Sequence, residues 1–140
     1  MLIAHENDLQ VKRLAGKIDR VLVDAPCSGL GTLRRNPDLK FRQSPGSIDA
    51  YTHQQAAILA SASRLLKKGG RLVYATCSFL PEENQLIVQA FLSTHADFVL
   101  RPVGEILQQH KIAMEMQDYL ELRPHLHGTD GFFAAILERI

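Results

Sequence analysis

A chain of 140 residues, 46% of them hydrophobic, is long enough to form one globular domain around a single core. Its formal net charge of +1 excludes a basic surface over the whole chain, so nucleic-acid binding would depend on a local patch. No apolar run reaches the ~20 residues of a membrane helix, residues 1–6 lack the pattern of a signal peptide, and two cysteines fit reduced thiols, which together predict a cytoplasmic protein.

The N-terminal segment carries few structural signals. Residues 1–4 favour a short strand, whereas residues 5–17 are polar and show no regular hydrophobic pattern. Asp8 is the only aspartate in this segment. Taken alone, the pattern indicates that Asp8 lies on a solvated loop.

The first strand is predicted over residues 19–24, because residues 21–23 form a short apolar run that ends at Asp24. The turn after this strand is a candidate site, since a proline fixes its backbone and two glycines allow a ligand to approach closely. Open α/β sheets bind ligands at the carboxyl ends of their strands. The turn would present the side chains of Cys27 and Ser28.

A basic segment follows at residues 33–42. It has too much proline and asparagine for a helix and no alternation typical of a strand. Arginines can clamp phosphates and a lysine can act as a point charge, so the segment suits a polynucleotide, although an ordinary charged loop would look the same. Next to a candidate site, we favour phosphate contact by its four cations, Arg34, Arg35, Lys40 and Arg42.

A helix is expected to start near Ser47 or Asp49 and to end before Gly69 and Gly70, because an apolar stripe recurs at helical spacing between them. A second strand follows at residues 71–76 and leads directly into Cys77. If the two strands are parallel neighbours, Cys27 and Cys77 meet at one edge of the sheet.

The remaining elements are a helix after Pro81, with acidic residues in its first turn, and two strands over residues 97–101 and 132–137. The chain between these strands is irregular. His125 and His127 alternate around a leucine, but no cluster of Cys, His or Asp accompanies them, so no metal site is expected.

The two cysteine motifs resemble those of the S-adenosylmethionine-dependent RNA 5-methylcytosine methyltransferases, and most closely the bacterial small-subunit rRNA enzymes. The resemblance runs from about Asp19 to the C-terminus, with a weaker match near residues 108–127. It is carried by Asp24-Ala-Pro-Cys-Ser-Gly29, Ala75-Thr-Cys-Ser78, Pro81-Glu-Glu-Asn84 and Asp130-Gly-Phe-Phe133. The glycine-rich cofactor loop of the family is absent upstream of Asp24.

The resemblance implies an α/β fold: the C-terminal half of a Rossmann-like class I methyltransferase sheet, mostly parallel with an antiparallel last strand. Residues 1–140 would then be a partial catalytic domain that lacks the glycine-rich S-adenosylmethionine motif. The first strand would lie at an exposed edge, because its neighbour in the family is missing. We expect the isolated chain to form a homo-oligomer through this edge or to be poorly stable, and to bind S-adenosylmethionine weakly.

The resemblance also implies residue roles in the methylation of RNA, with rRNA as the expected substrate. Cys77 would attack C6 of cytosine, Cys27 would help to release the product, and Asp24 would hydrogen-bond the base. The residues implied to contact the cofactor are Asp24, Ala25, Pro26 and, beside the adenine, Asp8.

Three other interpretations remain open. An amino-group methyltransferase would need a second proline and an aromatic residue after Asp24, and the sequence has neither. A non-catalytic remnant would keep the fold and a partner interface without the cofactor site. A dithiol redox protein would form a reversible bridge between Cys27 and Cys77.

Overall fold

The computed structural model describes residues 9–140. The strand expected at residues 1–4 and the candidate cofactor residue Asp8 lie outside these residues. No helix in the described part is long and apolar enough to cross a membrane.

One mixed sheet organises the described chain. Its strands are β1 (Ile18–Asp24), β2 (Leu66–Thr76), β3 (Phe98–Arg101), β4 (Leu120–Leu122) and β5 (Phe132–Arg139). The helices are α1 (Leu9–Lys12), α2 (Leu39–Arg42), α3 (Pro45–Ser63), α4 (Gln85–Thr94), α5 (Val103–Gln109) and α6 (Pro124–His127). Two 3-10 turns lie at Leu30–Thr32 and Pro81–Glu83.

The strand order is β1-β2-β5-β3, and β4 also pairs with β5. β1 and β2 are parallel, whereas β5 runs antiparallel to each strand that it pairs with. Four strands therefore share one direction and the last is reversed, which confirms the predicted α/β sheet.

The core lies on the face of the sheet that α3 and α4 cover. Leu72 and Tyr74 of β2 and Leu137 of β5 are fully buried on this face. They pack with Leu59 of α3 and Val88 of α4 in one hydrophobic cluster. This packing fixes β2 in the middle of the sheet, and so it also fixes the turn that follows β2.

The crossover helix starts earlier than expected. Ser44 caps α3, accepting a hydrogen bond from the Ser47 backbone N–H while the Ser47 hydroxyl accepts one from the Ser44 N–H. Pro45 occupies the first turn, where its missing N–H costs nothing. The sequence prediction of Ser47 or Asp49 as the start was wrong by about one turn because it overlooked this Ser-Pro signal.

Two further differences concern the sheet. β2 begins at Leu66 rather than at residue 71, and its register with β1 shifts before Arg20 pairs with Arg71. The chain expected to be irregular contains α5, β4 and α6. β4 is only three residues long and is held by pairing with β5, so no sequence period could reveal it.

Candidate active site

The turns after β1 and β2 meet at one edge of the sheet. The parallel register places Asp24 opposite Ala75, so the next residues of both strands run side by side. The Sγ atoms of Cys27 and Cys77 are 3.4 Å apart and form a hydrogen bond. Both thiols are free and partly exposed, so the structure brings two candidate nucleophiles together.

Close backbone contact locks these turns to the loop before β5. The Gly31 N–H donates to the Cys77 carbonyl at 2.8 Å, and the Gly131 N–H donates to the Gly31 carbonyl at 2.8 Å. A Cβ at Gly31 would lie 2.3 Å from the Gly131 oxygen. Glycine is required at position 31 because three stretches of backbone converge there.

A buried carboxylate lies beneath the two cysteines. Glu83 has no exposed surface. It accepts hydrogen bonds from the Ser28 N–H at 2.8 Å, from the Ser28 hydroxyl at 2.6 Å, and from the Ser78 hydroxyl. Since Ser28 and Ser78 directly follow the two cysteines, one carboxylate joins both turns.

Neighbouring side chains complete this buried network. The Gln55 amide of α3 donates to the Pro26 carbonyl at 2.9 Å and to Glu83 at 3.1 Å. The Tyr74 hydroxyl donates to the Glu83 carbonyl at 2.6 Å. Burial raises the pKa of Tyr74, and the charge of Glu83 adds to the shift, so the hydroxyl keeps its proton for this bond. α3, β2 and the turn after β1 thus hold Glu83 from three sides.

The second turn has its own supports. The Thr76 hydroxyl donates to the Asn84 side-chain oxygen, and the Asn84 amide donates to the Ser78 carbonyl at 2.9 Å. The Leu80 N–H donates to the Ser78 hydroxyl at 3.1 Å. These bonds hold the backbone around Cys77 in one conformation.

The surroundings of Cys27 change its acidity. Burial raises the pKa of the Cys27 thiol to about 12, and both the hydrogen bond with Cys77 and the charge of Cys77 push in the same direction. Cys27 is therefore protonated at neutral pH. Its S–H group can donate a hydrogen bond to the sulfur of Cys77.

The candidate cofactor residues Asp24, Ala25 and Pro26 directly precede Cys27 in the chain. Asp24 is exposed and lines a groove of about 340 Å³ whose walls are mainly the aliphatic side chains of β1 and α3. Ala25 is buried, and its N–H donates to the Ala75 carbonyl at 2.9 Å. The Pro26 carbonyl is occupied by Gln55. Asp24 is the most exposed of these three residues, and Pro26 is half-buried.

The basic segment is anchored by ion pairs. Arg35 forms a hydrogen-bonded ion pair with Asp130, whose oxygen lies 2.7 Å from the arginine Nε, and Arg34 lies 3.9 Å from the other oxygen. Arg42 pairs with Asp38 at 2.7 Å, and Lys40 lies 4.8 Å from the centre of the exposed Phe41 ring. All four cations remain on the surface and so can reach a polyanion.

Comparison with known proteins decides the family. Residues 1–138 match the 16S rRNA methyltransferase RsmB/F family. This chain belongs to that family.

Individual relatives agree with the family match. The chain is 43% identical over 122 residues to the probable ribosomal RNA small subunit methyltransferase B of Synechocystis, covering 87% of the chain and 27% of the relative. It is 49% identical over 117 residues to ribosomal RNA small subunit methyltransferase B of Sodalis glossinidius, covering 84% and 25%. The chain thus spans about a quarter of the length of the curated relatives it matches.

Solved structures share the fold. PH0851 superposes with a TM-score of 0.80 at 38% identity, covering 89% of this chain and 27% of that one. NSun6 from Pyrococcus horikoshii, solved with SFG, an analogue of S-adenosylmethionine, superposes with a TM-score of 0.72 at 29% identity, covering 93% and 32%. The described residues therefore form a methyltransferase sheet of the RsmB/F type.

Two residues of this RsmB/F-family site escaped the sequence interpretation. Glu83 belongs to the Pro81-Glu-Glu-Asn84 motif and to the acidic first turn after Pro81, but the sequence interpretation gives it no role in the site and does not single out Gln55. A carboxylate next to another carboxylate gives no local sign of which one turns inward. The repeated Cys-Ser pair was the available signal, since each serine hydroxyl that is buried needs a hydrogen-bond partner.

Proposed function

We propose that this chain carries the two-cysteine site of an enzyme that methylates C5 of cytosine in RNA, with small-subunit rRNA as the substrate. The observation that supports this proposal best is the 3.4 Å separation of Cys27 and Cys77 at the ends of adjacent parallel strands, in a chain of the RsmB/F family. Residues 1–140 would be part of the catalytic domain.

The chemistry requires a thiolate. C5 of cytosine is a weak nucleophile until another group adds to C6. The Cys77 thiolate would form a bond to C6, and the electron pair of the C5–C6 double bond would then be available at C5. After C5 gains its methyl group, its proton passes to water, the double bond re-forms, and Cys77 leaves as a thiolate.

The raised pKa of Cys27 supports a division of roles. A thiol with a pKa of about 12 is almost entirely protonated near pH 7, so Cys27 is poorly suited to attack. Its S–H group lies 3.4 Å from the Cys77 sulfur and would stabilise the thiolate that departs from C6. This agrees with the roles that the family resemblance implies, in which Cys77 would be the nucleophile and Cys27 would assist product release.

The groove beside Asp24 supports S-adenosylmethionine as the donor, which would supply an electrophilic methyl group. Its aliphatic walls suit a nucleoside ring, and the Asp24 carboxylate suits a hydroxyl or cationic group. Asp24 would also hydrogen-bond the edge of the target base. Ala25 and Pro26 would shape the rim through their backbone, and Asp8 would lie beside the adenine.

RNA would be held by the basic segment. Arg34, Arg35, Lys40 and Arg42 are on the surface and follow the Cys27 turn directly in the chain. Phosphates would compete for the arginines that now pair with carboxylates. Methylation of rRNA also implies a cytoplasmic location.

Two substitutions test the proposal in a protein that carries this chain within a complete catalytic domain. Cys77→Ala should abolish methyl transfer to RNA. Cys27→Ala should accumulate a covalent protein–RNA adduct that survives denaturing electrophoresis, because addition proceeds and release stalls. If Cys77→Ala keeps turnover while Cys27→Ala forms no adduct, the two roles are reversed.

The same thiol separation favours a second candidate, a reversible dithiol. Oxidised glutathione would take two electrons and two protons and leave as two reduced molecules while Cys27 and Cys77 form a disulfide. Titration of free thiols after mild oxidation would detect it. A redox function requires the bridge to form and reopen at cellular glutathione ratios, and a bridge that forms only under strong oxidant would contradict it.

Association through β1 remains a separate prediction. Within the described residues β1 pairs on one side only, and Leu22 is 70% exposed. The isolated 140-residue chain should associate through this edge or be poorly stable, and it should bind S-adenosylmethionine weakly. Sedimentation and calorimetric titration test both parts. A stable monomer with micromolar cofactor affinity would contradict this prediction.

A further inference from the structure

We propose that Glu83 is a positioning residue that sets the separation of the two thiols by bridging Ser28 and Ser78. The proposal deepens the proposed function and rests on it for its effect on methyl transfer. Its geometric part, the spacing of Cys27 and Cys77, can be measured without any RNA or cofactor.

The Glu83 carboxylate is buried and is held by hydrogen bonds from the protein. Its side chain is fully buried, and an isolated buried carboxylate is strongly unfavourable unless hydrogen bonds satisfy it. Glu83 accepts two bonds from Ser28, one from Ser78 and one from Gln55, so both of its oxygens are occupied. Any displacement of either turn would break a bond to this acceptor. The carboxylate therefore resists movement of each turn.

The two serines that donate to Glu83 are the sequence neighbours of the two cysteines. Ser28 directly follows Cys27, and Ser78 directly follows Cys77. The two serine hydroxyls are 3.2 Å apart, nearly the same as the 3.4 Å between the sulfur atoms. The two turns therefore run side by side: the sulfur atoms of Cys27 and Cys77 face each other, and so do the hydroxyls of Ser28 and Ser78. Both hydroxyls donate to Glu83.

The length of the side chain matters as much as its charge. Aspartate at position 83 would be one methylene shorter and could not reach both turns from the same backbone position. Glutamine has the length of glutamate, and its oxygen can accept from the Ser28 N–H and Gln55. The serine hydroxyls can rotate to accept from its amide. Positioning by length predicts that glutamine preserves the thiol spacing and that aspartate does not.

The first measurement is the rate of Cys27–Cys77 disulfide formation with oxidised glutathione as the probe, followed by mass spectrometry. Glu83→Asp and Glu83→Ala should form the bridge more slowly by about 10-fold or more, while Glu83→Gln should stay within about 3-fold of the unchanged chain. Glu82→Gln is the matched control, because Glu82 is the adjacent exposed carboxylate and its replacement should change nothing.

The second measurement is steady-state methylation in a protein with the complete catalytic domain. Glu83→Asp should lower kcat by about 10–100-fold with little change in the KM for RNA, since misplaced thiols impair the chemical steps and leave RNA binding intact. Glu83→Gln should recover most of kcat. A purely structural role would instead lower the amount of folded protein and leave the kcat of the folded fraction unchanged.

Ser78→Ala provides a second test in case the Glu83 variants do not fold. It removes one hydroxyl and with it the side-chain link between Glu83 and the Cys77 turn, so it should also slow disulfide formation. Unchanged disulfide rates in folded Ser78→Ala and Glu83→Asp would overturn the proposal, as would a Glu83→Gln variant as slow as Glu83→Ala. If the disulfide rates respond as expected but the unchanged protein never methylates cytosine, only the proposed function fails.

Discussion

The first cysteine turn and the basic segment are neighbours in the chain, but different interactions hold them. Buried hydrogen bonds hold the cysteine turns, and ion pairs of exposed arginines hold the basic segment. In the cysteine turns, Ser28, Ser78 and Glu83 are buried, and each polar group is bonded to a partner within the protein. In the basic segment, Arg34 and Arg35 are more than half exposed although both approach Asp130.

This difference separates a part that cannot rearrange from a part that can exchange partners. A buried hydrogen bond that is broken leaves an unsatisfied group, which costs about 1–3 kcal/mol. A surface ion pair is worth only about 0–1 kcal/mol and is screened by salt. The Arg42–Asp38 pair is of this exposed kind. The Asp130 side chain is only 9% exposed, so separating it from Arg35 costs more than separating Arg42 from Asp38.

The largest effect expected from this comparison is the protection of Cys27. Because burial raises its pKa from 9.0 to about 12, far less thiolate is present in the folded chain than in the unfolded chain at a pH of about 8. Alkylation of Cys27 by iodoacetamide, measured by mass spectrometry, should be slower in the folded chain by about two orders of magnitude or more.

The same shift gives a sign for the pH dependence of stability. The unfolded chain loses the Cys27 proton first, so the contribution of this thiol to the free energy of unfolding is present below pH 9.0 and is lost as the pH rises towards 12.

The Cys77→Ala variant is a useful control for the alkylation experiment, since burial remains the main cause of the raised Cys27 pKa and protection should largely persist. Equal alkylation rates in folded and urea-unfolded chains would show that the turn is open.

A second prediction concerns Gly31, the joint between the buried turns and the exposed segment. Gly31→Ala would place a Cβ 2.3 Å from the Gly131 oxygen and 2.8 Å from the Cys77 oxygen. We expect a decrease of about 1–3 kcal/mol in the free energy of unfolding, measured by urea denaturation, because backbone must move to admit the methyl group.

Gly46→Ala is the matched control for that substitution. A Cβ at Gly46 meets nothing within 4 Å, and the position lies in the first turn of α3. The change should be neutral or slightly stabilising, by up to about 1 kcal/mol from helix propensity. If Gly31→Ala were as mild as Gly46→Ala, the three stretches of backbone would be less tightly packed than the structure indicates.

The fold was more predictable from the sequence than the site. β1, β2 and β5 have apolar runs next to glycine or proline signals, so local patterns were sufficient to find them. β4 was missed because pairing with β5 stabilises it and its own three residues carry no period. The local sequence shows which secondary structure a segment favours. A segment that favours none, such as β4, can still become a strand when it pairs with another strand.

The site divides in the same way. The approach of Cys27 and Cys77 followed from one assumption, that two strands ending in cysteine are parallel neighbours. The acceptor beneath them could not be inferred from the acidic pair at positions 82 and 83, since only the packed structure shows that Glu83 turns inward and Glu82 outward. Asp130 entered only through the family motif, and its pairing with Arg35 joins residues 95 positions apart.

The smallest expected effect tests the exposed half of the comparison. If Arg34 and Arg35 bind phosphates, replacing both with alanine should weaken RNA binding. It should also lower the slope of log affinity against log salt by roughly one unit for every phosphate that is no longer neutralised.

Arg64 and Lys68 supply the matched control, because both are exposed and lie near the start of β2, at the opposite end from Cys77. Their double replacement removes the same charge and should leave the slope unchanged if binding depends on position. An equal drop in both double variants would mean that RNA senses only the net charge of the chain, and the two arginines would then serve only to hold Asp130.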